Sequence, residues 1–159
     1  MKRSVKTTND HLVFEAEIEV AATPAACWKL LTTTTGLRSW FDELEVGELS
    51  ENGYLLFVFK EAETVREIKL PILEFDPEIK IGFGWDQNEV FFKLVPLDAK
   101  HTRLLFRERI LVPSEHTARD LSGWTLCLDA YQKAAEGREY EFDQARFAEL
   151  LDEYNTALS

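Results

Sequence analysis

The sequence has little cysteine, methionine, glycine or proline, with 2, 1, 7 and 5 of each among 159 residues. Cys27 and Cys127 stand alone, each in an apolar, helix-like stretch, with no C-x-x-C pair. A secreted disulfide framework or a thiolate zinc site needs more thiols at closer spacing. Both cysteines therefore read as small buried hydrophobes. No segment approaches the ~20 apolar residues of a membrane span. The basic start at Lys2, Arg3 and Lys6 runs into Thr7-Thr8-Asn9-Asp10, where a signal peptide would carry its apolar core. A cytoplasmic location is expected. Positive charge is scarce too: 18 Lys and Arg stand against 29 Asp and Glu, a formal net charge of -11. Such a field repels nucleic-acid backbones and anionic lipid, so neither nucleic acid nor membrane is an expected partner.

Reactive motifs are missing as well. His11, His101 and His116 are isolated, without ligand spacing, and no nucleophile elbow, phosphate loop or dinucleotide fingerprint occurs. Gly82 and Gly84 sit in a strand pattern and open no helix. No catalytic residue, metal ligand or cofactor is assigned on these grounds, and an enzyme ranks below a binding protein.

What is present is ordinary globular material, 45% hydrophobic and 30% charged, at the length of about one domain. His11 to Ala22 alternates with period two and reads as a half-buried strand. Thr23-Pro24 is a helix start, an N-cap followed by proline at the first helical position. The threonine run from 32 to 35 and Gly36 should end that helix, and Leu37, Trp40 and Phe41 suit a second, very short one. From Glu45 to Val112 the chain reads as antiparallel strands, with Asn52-Gly53 the best hairpin signal. Tyr54 to Phe59 is apolar on both parities, as in a strand covered on both faces. A long helix follows over Thr117 to Glu136, striped by Leu121, Trp124, Cys127, Leu128, Tyr131 and Ala135 and ended by Gly137. A last helix begins near Gln144 behind the cap Asp143, and its stripe of Phe147, Leu150, Leu151, Tyr154 and Leu158 must be buried in the chain or in a homodimer. Residues 1–10 read as a flexible N-terminus, 11–136 as the domain, and 137–159 as a C-terminal helical extension. This order predicts an α+β fold, a curved antiparallel sheet wrapped around a long C-terminal helix, with two short helices after the first strand and an extra helix at the end.

Pro24, Trp28, Leu31, Leu37, Trp40 and Phe41 in the first third carry a resemblance to a known family. So do Leu73-Glu74-Phe75-Asp76-Pro77 with Ile81, Phe83 and Trp85, then Thr102, Leu104 and Phe106, and finally Gly123-Trp124 with Leu128. In that order and spacing, the chain resembles the START-like superfamily with the helix-grip fold. Within it, the chain is most similar to the domain family of the activator of the ninety-kilodalton heat-shock protein's ATPase. The resemblance spans residues 11 to 136; Tyr131 stands where the family usually has a leucine, and the segment after Gly137 is additional. It implies a small hydrophobic or aromatic molecule held between sheet and helix. It also implies two alternatives, a protein-interaction module resembling the chaperone ATPase activator and a cyclase- or aromatase-like enzyme.

Aromatic residues make up 12% of the chain. Strand parity and the helix stripe aim Phe57, Phe59, Phe83, Trp85, Phe106, Trp124, Leu128 and Tyr131 at one interior, with Trp40 near its mouth. Two charges share those parities: Glu108 with Leu104, Phe106 and Ile110, and Arg66 with Ile68, Leu70 and Ile72. A carboxylate on an apolar strand face needs a partner or a raised pKa. Glu108 and Arg66 are therefore expected as inward-facing anchors for a ligand, paired with each other or reaching solvent at strand ends.

Overall fold

In Leu12–Val20 (β2) the alternation puts Phe14, Ala16, Ile18 and Val20 on one face, all buried, with charged Glu15 and Glu19 on the other. The computed structural model, which describes residues 1–159, pairs this strand antiparallel with Lys2–Thr7 (β1) on one side and His101–Ile110 (β8) on the other. The N-terminus thus departs from the expected flexible segment. Its strand KRSVKT has one apolar side chain, Val5, and is held by the backbone ladder to β2 and by Arg3, which donates to the Tyr154 hydroxyl at 2.9 Å.

Pro24–Thr32 (α1) starts as the sequence predicts: the Thr23 hydroxyl caps it by accepting from the Ala26 amide at 3.1 Å. The next helix begins earlier than expected, at Thr34–Arg38 (α2), because the threonine run caps as well as breaks. Thr33 turns extended, its hydroxyl donates back to the Lys29 carbonyl, and the same oxygen accepts from the Gly36 amide. Gly36 lies inside α2, pressed against α1, where a Cβ would stand 2.2 Å from the Lys29 carbonyl oxygen.

The remaining strands are Leu44–Glu48 (β3), Tyr54–Glu61 (β4), Thr64–Asp76 (β5), Lys80–Trp85 (β6) and Asn88–Asp98 (β7). The sheet has eight strands in the order β1-β2-β8-β7-β6-β5-β4-β3, every neighbouring pair antiparallel. Register shifts at Val46/Glu48, Ile72/Glu74 and Pro96/Asp98 bend it. Its concave face receives Thr117–Ala135 (α3), whose Leu121, Trp124, Leu128 and Tyr131 are buried. This is the expected α+β helix-grip arrangement. The β4–β5 arm outruns the helix: Leu70 and Ile72 are buried, but Ile68 is 49% exposed. In β4 only Leu55 is fully buried and its apolar neighbours are half-buried, less cover than the doubly apolar pattern suggests.

Gln144–Leu158 (α4) packs on α3, burying Leu150 and Tyr154. The Tyr154 hydroxyl meets Thr125 Oγ1 at 2.6 Å, and its ring stands edge-on to Phe14 at 5.7 Å. The last helix is thus covered within the chain. No helix is long and apolar enough to cross a membrane.

Candidate functional site

Inward parity on β6, β7 and β8 delivers Phe83, Trp85, Phe92 and Phe106 to the space beneath α3, which contributes Trp124. The rings form a chain of edge contacts. Trp124 lies 5.1 Å from Phe106 and 5.2 Å from Trp85, and Phe92 lies 5.1 Å from Phe106. Phe83 stacks on Phe92 at 6.1 Å. Trp40 touches Phe92 and Tyr131 and donates its indole N–H to the Leu30 carbonyl at 2.8 Å. Leu128 and Tyr131 complete the interior, the Tyr131 hydroxyl donating to the Cys27 carbonyl at 2.8 Å and so tying α3 to α1. At the outer end, Phe57, Phe59 and Trp85 are only half-buried and form an aromatic rim, with Phe57 5.4 Å from each of the other two rings.

Two rings that the site expectation omitted bind this set together. Phe41 touches Trp40, Phe57, Trp85 and Trp124 from the loop after α2. Phe92 was legible from strand parity, between Val90 and Leu94. Phe41 sits in irregular backbone, where no period assigns a face.

Glu108 does face this interior, as its parity predicts. It is 1% exposed, its neighbours across the ladder are Phe14 and Val90, and neither carboxyl oxygen has a hydrogen-bond partner. Burial first, then the nearby Asp120 carboxylate, push its pKa from the ordinary 4.5 to about 8. At neutral pH it is a neutral acid, one O–H donor and one carbonyl acceptor in an aromatic surround. Asp120, on the first turn of α3, is itself shifted upward by burial, with Asp86 adding to the shift and His116 and Arg119 opposing it.

Arg66 corrects the other half of the expectation. It lies opposite Phe59 on the β4–β5 arm, but beyond the reach of α3; it is exposed and pairs with Glu61 at 2.8 Å. It makes no pair with Glu108.

Two grooves lie outside this interior, and neither is lined by Phe57, Phe59, Trp85, Glu108 or Trp124. One, of about 530 Å³, crosses the outer face of the sheet between β1 and β6. The other, of about 880 Å³, runs along α3 between the loop after α2 and the chain from Arg138 to Phe147. Cys127 is on its floor; burial, then Glu43 and Asp42, push that thiol up to about 12, and burial also raises Cys27. Neither cysteine is a ready thiolate. No group of three or more His, Cys, Asp or Glu side chains is placed to hold a metal ion.

No family model matches the chain, and no curated protein matches it. Solved structures do. A conserved protein of unknown function from Enterococcus faecalis, EF2215, is similar over 99% of this chain and 90% of its own, at 26% identity and a TM-score of 0.89. CalU16 from Micromonospora echinospora is similar over 98% of this chain and 96% of its own, at 17% identity and a TM-score of 0.72. The Aha1 dimer from Colwellia psychrerythraea is similar over 78% of this chain and 96% of its own, at 16% identity and a TM-score of 0.61. These likenesses agree on the helix-grip fold.

Proposed function

We propose that this protein binds a small hydrophobic molecule of aromatic dimensions between the sheet and α3, without transforming it. The observation that carries this is Glu108, a carboxyl group 1% exposed among aromatic rings, with both oxygens unpartnered. Leaving such a group unpaired costs about 1–3 kcal/mol, and a ligand carrying a hydroxyl or carbonyl would satisfy it. Entry is at the half-buried rim of Phe57, Phe59 and Trp85, the rings in the cluster with the least to lose by turning aside. The core rings Phe83, Phe106 and Trp124, with Leu128 and Tyr131, form the back wall, and Trp40 closes it on the α1 side. Arg66 has no part in the seat.

A second reading, an interaction module that forms a homodimer, is supported by the likeness to the Aha1 dimer. Native mass spectrometry of freshly purified protein, set against its denatured mass, separates the two. A small adduct lost on denaturation, and weakened in Glu108→Gln, supports the ligand reading. A clean dimer without adduct favours the interaction module. A bare monomer that takes up no hydrophobic phenol from a screened panel ends the ligand reading.

A further inference from the structure

The groove behind α3 is chemically unlike the aromatic interior. Its floor comes from α3: the small side chains of Gly123, Cys127, Ala130 and Ala134, at helical spacings of four, three and four residues, with Leu126 beside them. A Cβ added at Gly123 would meet nothing within 4 Å, so the floor is open there. Trp40 and Phe41 form one wall and Tyr140, Phe142 and Phe147 the other. Phe142 is 61% exposed and leans on Phe147 at 6.0 Å, an apolar ring with nothing above it. The volume, about 880 Å³, lies in the range of about 300–1,000 Å³ typical of small-molecule sites.

Four carboxylates edge these walls, Asp42 and Glu43 on one side and Glu139 and Glu141 on the other. The one cation among the lining residues, Arg138, is engaged by Glu136. The opening is therefore negative over an apolar floor between aromatic walls. A second copy of this chain, itself at net charge -11, is repelled by that edge, and so is an anionic lipid or fatty acid. An ammonium group on an apolar body fits both halves: hydrocarbon against the small-residue floor, and positive charge between ring faces and carboxylates.

We propose that this groove is a binding site for a hydrophobic organic cation, an amine or quaternary ammonium with an apolar tail. It is separate from the interior seat and shares with it only the wall made by Trp40 and Phe41.

Isothermal titration of the full chain with dodecyltrimethylammonium, below its micellar concentration, tests this against two probes of the same tail, dodecanol and dodecanoate. The ammonium should bind about tenfold more tightly than the alcohol, the carboxylate more weakly than either, and the preference should shrink in high salt. Gly123→Met fills the floor without disturbing α3 and should weaken the ammonium about tenfold or more. The double variant Glu139→Gln, Glu141→Gln should keep the affinity for the alcohol and lose most of the preference for charge. Equal binding of all three probes overturns the proposal, and so does unchanged binding in Gly123→Met. Glu108→Gln distinguishes the two sites: ammonium binding that falls with that variant assigns the ligand to the interior and also overturns the proposal.

Discussion

Replacing Glu108 by glutamine should make the protein's stability respond less to pH. The carboxyl titrates at 4.5 when exposed and at about 8 when folded. Because the folded value is raised, the native state holds a proton that the unfolded chain gives up. Below pH 4.5 both states are protonated and Glu108 makes no pH-dependent contribution. Between the two values each pH unit costs about 1.4 kcal/mol, and beyond the folded value the loss levels off. From pH 5.5 to pH 8 the wild-type protein should therefore lose about 3 kcal/mol at this residue alone. The glutamine variant carries a cost of its own, an amide left unpaired at about 1–3 kcal/mol, but that cost is the same at every pH. The quantity to compare is thus the difference in unfolding free energy between the two proteins, measured by urea titration across that range with tryptophan fluorescence. It should move by about 3 kcal/mol in favour of the variant as pH rises. Asp120→Asn, which removes the neighbouring charge, should shift the wild-type transition to lower pH. A difference that stays constant from pH 5.5 to 8 would refute the reasoning, because Glu108 would then be titrating as it does in water.

Three further perturbations probe the frame around that residue. Trp124→Ala removes the ring on which Phe41, Trp85, Phe92 and Phe106 converge, and should cost about 3–5 kcal/mol; an unchanged thermal melt would mean that α3 does not grip the sheet. Deleting residues 138–159 uncovers α3 and removes the buried Leu150 and Tyr154; losing a buried leucine alone costs about 2–5 kcal/mol, so a melt as high as that of the full chain would contradict the packing of α4. Gly123→Ala should raise stability by about 0.5–1 kcal/mol, since a mid-helix glycine is replaced where a Cβ has open space; a lower melting temperature would show that the face is occupied.

Glu108 and Arg66 show how far strand parity reaches. Both side chains were assigned to the concave face, and the ladder agrees: Glu108 lies opposite Phe14 and Val90, and Arg66 opposite Phe59. Parity tells which face a residue takes, not how far the opposing helix extends along it. Glu108 falls under the first turns of α3 and is sealed, whereas Arg66 stands on an arm that projects past the helix and is solvated. The helix stripe on α3 and the caps Thr23 and Asp143 were legible because each is a local pattern with one dominant cause. Strand β1 was not, since four of its six residues are basic or threonine and its place depends on a ladder and on Tyr154, more than a hundred residues away. The groove behind α3 left no trace either, because two irregular segments build its walls, and only the packing of α4 brings them face to face.

The two proposed sites differ in what they cost the fold. The groove has a floor of mostly small side chains, walls of aromatic rings and an edge of surface carboxylates that water already solvates, so it leaves no buried polar group unpaired when empty. The interior is otherwise. Phe14, Val90 and the surrounding rings would accept a leucine or methionine at position 108 with its volume filled and nothing unpaired. A carboxyl there forfeits that gain and, at neutral pH, also draws a proton from solvent on folding. Packing therefore supplies no reason for the acid, and a ligand that supplies the missing hydrogen bonds does. On that account a bound hydroxyl or carbonyl compound should stabilise the wild-type protein more than Glu108→Leu, which should melt higher than the wild type when both are empty. The order of those two melting temperatures, read with and without ligand, tests whether the buried acid serves binding.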